Sequence, residues 1–188
     1  MPEALRVPVL PAGDFVLRPW QVEDLPLVRE ASSDPYIPLL TTVPADYSDE
    51  AGEEFIRRQW QRAAEGAGYP FVIAGEGGRR PLGVVSLRMK DAAEGRASVG
   101  YWIVDSARGR GAAAAALRAV TAWAFDHLRM DRLELYVEPW NTASARTAER
   151  AGFRREGLLR SWQRIGGERR DMTMYALLPT DGRGEGEG

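Results

Sequence analysis

Residues 96–140 constrain this chain more than any other segment. RASVGYWIV (96–104) reads as a strand, Arg110 to about Arg129 as a helix, and RLELYVEPW (132–140) alternates in a β-rich pattern. Within the helix, Ala113, Leu117, Val120, Ala124 and Leu128 recur at steps of three or four and make one apolar stripe. Strand, helix and strand in succession form a β-α-β step. Such steps, mixed with runs of adjacent strands, imply a mixed sheet covered by helices.

The rest of the chain fits that frame. FVLRPW (15–20) reads as a first strand and Gln21 to Ser33 as a helix with Glu23 and Asp24 in its first turn. The proline-rich stretch SSDPYIPLLTTVPADY reads as a loop. Ser48 is placed to cap a second helix running to about Glu65. YPFVIAGEGGRRPLGVVSLRM suggests two strands around a Gly-Gly turn. Asn141 to Ala151 reads as a short helix with Asn141 as its cap and Gly152 at its end. GLLRSWQRIGGERRDMTMYALL reads as two strands joined by Gly166 and Gly167. The expected class is α/β (α+β), with a single mixed sheet of about seven strands flanked by about four helices. The expected domain spans 14–179, after an N-terminal extension (1–13) and before a disordered tail (180–188) that has no apolar residue.

Composition excludes several kinds of function. The chain has no cysteine and one histidine, His127, which rules out thiolate metal sites, multi-histidine sites and a cysteine nucleophile. No metal is expected. A net charge of −2 gives no general pull toward nucleic acid or an anionic membrane. The tryptophans at 60, 102, 123, 140 and 162 lack an accompanying basic patch and read as core or pocket wall. Neither a signal peptide nor a membrane-length apolar run is visible, so a cytoplasmic location is expected. His127 has no Gly-x-Ser-x-Gly elbow to accompany it, which disfavours a serine hydrolase.

The turn DSARGRG, ahead of five alanines, carries the clearest chemical signal. A helix N-terminus presents unpaired N–H groups and the positive end of the macrodipole, and so attracts anions. Gly109 and Gly111 remove Cβ atoms and permit backbone angles that gather amides, while Ala112 and Ala113 keep the first turn slim. Arg108 and Arg110 add charged donors. Taken alone, the turn also reads as a glycine-rich connection with solvated arginines. A nucleotide triphosphatase loop would need Gly-Lys-Ser/Thr, which is absent. GRGAAA matches the dinucleotide fingerprint G-x-G-x-x-G/A, with Glu138 as a ribose-binding acid, so an NAD-linked enzyme stays open at this level.

Several motifs occur in order: VGYW on the strand, R-x-x-G-x-A over Arg108 to Ala113, N-x-x-S at Asn141 and Ser144, AGF-x-x-EG over 151–157, and RDMTMYALL near the end. With FVLRPW and EDLPLV at the start, they cover nearly all of 14–179. In this series the chain resembles the GNAT superfamily of acyl-CoA N-acyltransferases, and more narrowly its ribosomal-protein N-acetyltransferase (RimJ/RimL-like) branch.

The resemblance implies acetyl-CoA as co-substrate, with its pyrophosphate held by Arg108, Gly109, Arg110, Gly111, Ala112 and Ala113. It implies that the strand Val99–Val104, including Trp102, Ile103 and Val104, is splayed from its neighbour by a bulge. Backbone groups freed there would meet the pantetheine, and an N–H near Ile103 or Val104 would face the thioester carbonyl. Asn141 and Ser144 would lie beyond the partner strand, with Ser144 at the coenzyme A sulfur. Glu138 is the candidate general base; its plain reading is a surface glutamate at a strand end. Glu134, on the same face, reads equally as a solvated residue, and Asp171 and Tyr175 read also as structural. Some relatives carry a carboxylate after the EG motif, where this chain has Gln163 and no acid. The acceptor would be a primary amine, a protein N-terminus or a small molecule, passing between the 34–47 loop and the 160–173 hairpin. A homodimer is among the assemblies the resemblance allows. Transfer of another acyl group such as succinyl, and a non-catalytic acyl-CoA-binding domain, are the alternatives.

Overall fold

The structure, a computed structural model, describes residues 4–181. Its strands are β1 (Leu10–Ala12), β2 (Phe15–Arg18), β3 (Gly68–Gly75), β4 (Arg80–Arg88), β5 (Arg96–Ile103), β6 (Arg132–Val137), β7 (Arg154–Ile165) and β8 (Glu168–Leu177). They form one mixed sheet in the order β1-β2-β3-β4-β5-β6-β8-β7. The helices are α1 (Leu25–Ser32), α2 (Ile37–Leu40), α3 (Asp49–Ala64), α4 (Ala112–His127) and α5 (Thr142–Arg150). α1 packs with α3, and α4 with α5, on opposite faces of the sheet. The class is as expected, with two additions. Residues 10–12 of the extension form β1, and α2 lies inside the proline-rich stretch. Residues 182–188 of the expected disordered tail lie outside the described residues. Among those, no helix is long and apolar enough to cross a membrane.

The local reasons are those read from the chain. Ser48 Oγ accepts the Ala51 N–H at the start of α3, and Asn141 Oδ1 accepts the Ser144 N–H at the start of α5. β3 is buried along its whole length, as a strand covered on both faces must be. In α4, Ala116, Leu117, Val120 and Ala124 are fully buried against the sheet. FVLRPW and EDLPLV meet through a buried pair, Arg18 to Asp24, in a two-pronged contact at 2.8 and 2.7 Å. Arg18 also donates to the Gly78 carbonyl at 2.8 Å, which ties the first strand–helix corner to the β3–β4 turn.

The sheet opens between β5 and β6. These strands run parallel and pair only at Arg96–Ser98 with Arg132–Glu134, while β6 continues to pair with β8 through Val137. The expected bulge is not what separates them: β5 stays in unbroken register with β4 from Ser98 to Ile103. The splay is a divergence of two strands that each keep register with their outer neighbour. Irregularities lie elsewhere: at Ile73–Ala74 of β3, between Arg155 and Gly157 of β7, and most widely between Leu159 and Gln163 of β7. There Ser161 sits at φ +52° and its N–H donates to Asp171 Oδ1 at 2.7 Å.

Candidate active site

The opening of the sheet becomes a cleft of about 1410 Å³, lined by β5, β6, the α4 N-terminus, α5 and the α1–α2 segment. The Val104 N–H donates to the Leu82 carbonyl at 3.1 Å, which sets the alternation along β5. Trp102 and Gly100 therefore turn their backbone groups to β4, and Tyr101 and Ile103 turn theirs toward the gap. This corrects the expectation for Val104, whose N–H is spent on Leu82. Ile103 is the residue whose N–H faces the opening. The Trp102 side chain lines the cleft on the face shared with its partner Val84.

At the upper end of the gap the turn 105–111 leads into α4. Gly109 and Gly111 have φ of +76° and +79°, and a Cβ built on either would meet nothing within 4 Å. Packing inside the protein therefore does not require glycine at these positions. The left-handed backbone and the open space in front of it do. The first N–H groups of α4, from Ala112 and Ala113, face this space as unpaired helix-start donors.

The two arginines of the turn differ. Arg108 is committed within the protein: its Nε donates to the Ile103 carbonyl at 3.1 Å, and its terminal nitrogens reach Asp105 at 3.0 Å and Asp34 at 2.6 Å. The expectation that its side chain serves as a free phosphate donor is corrected on that ground. Arg110 has only a 3.3 Å contact to the Ser106 carbonyl, and its guanidinium stays available.

Glu138 lies one residue past β6 and is 5% exposed, so the surface reading is wrong. The Tyr36 hydroxyl donates to Glu138 Oε2, Arg170 stands 4.0 Å from Oε1, and the Tyr36 ring packs edge-on against Trp140. Burial, and then the adjacent Glu138 carboxylate, push the Tyr36 phenol far above its ordinary pKa, so it remains a proton donor. Glu134 is buried too, but it is held by Arg132 at 2.8 Å and Tyr136 at 2.7 Å, away from the cleft. Arg132 also grips Glu156 of the EG motif at 2.6 Å.

Asn141 and Ser144 line the cleft from the start of α5, and the buried Tyr101 hydroxyl points toward Ser144 and Thr147 without a hydrogen-bond partner. Gln163 reaches the cleft from β7 because the irregularity at Ser161 turns it there. Asp171 holds that irregularity, and Tyr175 is core. His127 is exposed at the end of α4. Sequence reasoning missed Tyr36 and Asp34. The dipeptide Asp34-Pro35 is a helix-start signature that points to α2: Asp34 Oδ1 accepts the N–H groups of Tyr36 and Ile37 at 2.8 and 2.9 Å.

A parallel strand pair split over an anion-ready helix start matches a known family. Residues 14–154 match the model of the acetyltransferase (GNAT) domain. The chain belongs to the GNAT acetyltransferase family. Among relatives of this GNAT protein, "Probable N-acetyltransferase YjcK" of Bacillus subtilis is 30% identical over 178 residues, 92% of this chain and 98% of that one. "Uncharacterized N-acetyltransferase p20" of Bacillus licheniformis is 27% identical, covering 87% and 92%. The solved structure of Mycobacterium smegmatis RimJ in complex with CoA-disulfide superposes with a TM-score of 0.79 at 26% identity, over 93% of this chain and 87% of that one. The GNAT chain is an N-acetyltransferase, and its likeness to RimJ agrees with the resemblance to the RimJ/RimL-like branch.

Proposed function

We propose that the protein binds acetyl-CoA in the β5–β6 gap and acetylates a primary amine by direct attack in a ternary complex. The observation that carries this reading is the pair of glycines at positive φ before α4, whose missing Cβ atoms face only open space. A diphosphate fits there, against the α4 amides, with Arg110 supplying charge. The backbone groups of Tyr101 and the Ile103 N–H, exposed at this edge, fit the polar groups of a pantetheine arm; the Ile103 carbonyl is held by Arg108. The thioester supplies an acetyl group already activated toward an amine.

The chain's own residues perform the remaining tasks. The Ile103 N–H is placed to stabilise negative charge developing on the thioester carbonyl oxygen. Glu138 accepts the proton that the amine loses, directly or through one water, and Tyr36 holds that carboxylate in place. Ser144, fixed by the Asn141 cap, is the hydroxyl closest in role to a proton donor for the leaving thiolate. No covalent enzyme intermediate is needed.

Calorimetric titration with acetyl-CoA, succinyl-CoA and NAD tests the reading. Acetyl-CoA is expected to bind and NAD not to bind. Gly111→Glu, which places a carboxylate where the diphosphate fits, is expected to abolish acetyl-CoA binding. Binding that survives this substitution refutes the placement.

A further inference from the structure

The cleft is lined by charges of both signs near α4 and by cations alone at the far end. Near α4, Glu30, Asp34, Asp105 and Glu138 stand with Arg108, Arg110 and Arg150; at the far end stand Arg62, Arg88 and Lys90. The acids are mostly satisfied: Asp34 and Asp105 by Arg108, and Glu138 by Tyr36. The far-end cations are not. Among the described residues, Arg88 and Lys90 have no hydrogen-bond or ion-pair partner, and Arg62 touches only the neutral Gln59 and Thr42 side chains. Arg58 next to them has its own acid in Glu54, at 3.6 Å. Partial burial, and then the neighbouring Arg88 and Arg58, hold the Arg62 pKa below its ordinary value, as crowding of unneutralised cations does.

The Arg88 guanidinium is directed along the cleft floor. It belongs to the residue opposite Ser98, yet its Nη2 lies 3.8 Å from where a Cβ on Gly100 would stand. Glycine at 100 leaves that path open. By register, Ser98 faces Glu134, so Glu138, four residues on, stands about level with Trp102, two residues beyond Gly100. Adding one splayed inter-strand step puts the guanidinium about 10 Å from Glu138. That span matches about three residues of extended chain at 3.3–3.6 Å each.

Resting on the acetyl-transfer reading above and on the N-terminal acceptor that the family resemblance implies, we propose that the cleft selects its acceptor peptide by an acidic side chain near the N-terminus. The peptide's α-amine lies at Glu138, and an acidic side chain about three residues along is held by Arg62 and Arg88.

Matched peptides test this, differing only in Glu, Gln or Lys at positions 2 to 4, with thiol release from acetyl-CoA as the readout. The Glu peptide is expected to exceed the Gln peptide by roughly tenfold or more in kcat/KM, the worth of a charge-assisted hydrogen bond. The difference should lie in KM and shrink with added salt. Arg88→Glu and Arg62→Glu are expected to move the preference from Glu toward Lys, a reversal that mere loss of folding does not produce. Equal rates on the three peptides, or an unaltered preference in both variants, overturn the proposal. So does acetylation of small phosphorylated or carboxylated amines with no peptide accepted. Calorimetry with acetyl-CoA on the same samples separates the two layers. Donor binding without peptide turnover defeats the acceptor assignment alone, and loss of donor binding in the unsubstituted protein defeats both.

Discussion

Tyr36 and Glu138 are 102 positions apart in the chain and share one hydrogen bond. A carboxylate this buried needs such a partner, because an unpaired buried charge is costly. The bond also orients the oxygen that would take a proton. Glu138→Gln keeps the shape and removes the basicity, and it is expected to lower kcat roughly 100-fold or more with acetyl-CoA affinity intact. Stopped-flow turnover paired with calorimetry checks both halves. Tyr36 does not add a pH limb of its own. Its phenol is shifted upward, so it stays protonated as pH rises through the ordinary tyrosine range, and Tyr36→Phe should leave the alkaline side of the rate profile in place.

At the scale of elements, two joints decide how the cleft is walled. The Arg18–Asp24 pair anchors the corner from which α1 and the Tyr36 segment depart. Arg18→Gln strands a buried carboxylate and is expected to cost ~3–5 kcal/mol, read as a fall in the denaturant midpoint. The second joint is the β7 irregularity, fastened by Asp171 to the Ser161 N–H. Asp171→Ala should loosen Trp162 and Gln163, raising KM for the acceptor while acetyl-CoA affinity holds, which steady-state kinetics and calorimetry separate. The sequence made some of these elements readable and hid others. Ser48, Asn141 and the α4 stripe are local signals, complete within a few residues, and they mark α3, α5 and α4 directly. β1 is three residues long with Pro11 at its centre, and α2 is one turn set among prolines, so neither shows a period. The Gly109–Gly111 turn was legible as an anion cradle. The capture of Arg108 by Asp34, 74 residues away, was not, because only the folded sheet brings α1 to that turn.

The whole molecule is braced by carboxylates that ionise more readily than usual. Burial alone would raise Asp34 and Glu134. Hydrogen bonds from the Ile37 and Tyr36 amides and Arg108 to the first, and from Arg132 and Tyr136 to the second, more than offset it. Glu156 is lowered chiefly by Arg132. Their folded values lie below the ordinary 3.8, 4.5 and 4.5, so the stability they contribute is present above those values and is lost as pH falls through the folded ones. Scanning calorimetry is expected to show a steady Tm down to about pH 4.5 and a steep decline below it.

The divergence of β5 from β6 has one more consequence. Exposed strand edges usually sit on the rim of a sheet, where any stray strand can join them and start aggregation. This protein keeps such an edge in the middle of its sheet, between helices on both faces. A protein strand paired edge to edge with β5, unlike a peptide lying across the cleft floor, brings side chains on alternate faces and would collide with that cover. Only a slender chain, with amide groups but no side chains, can lie along it. The fold thereby offers a strand's worth of hydrogen bonds that no ordinary protein strand can claim.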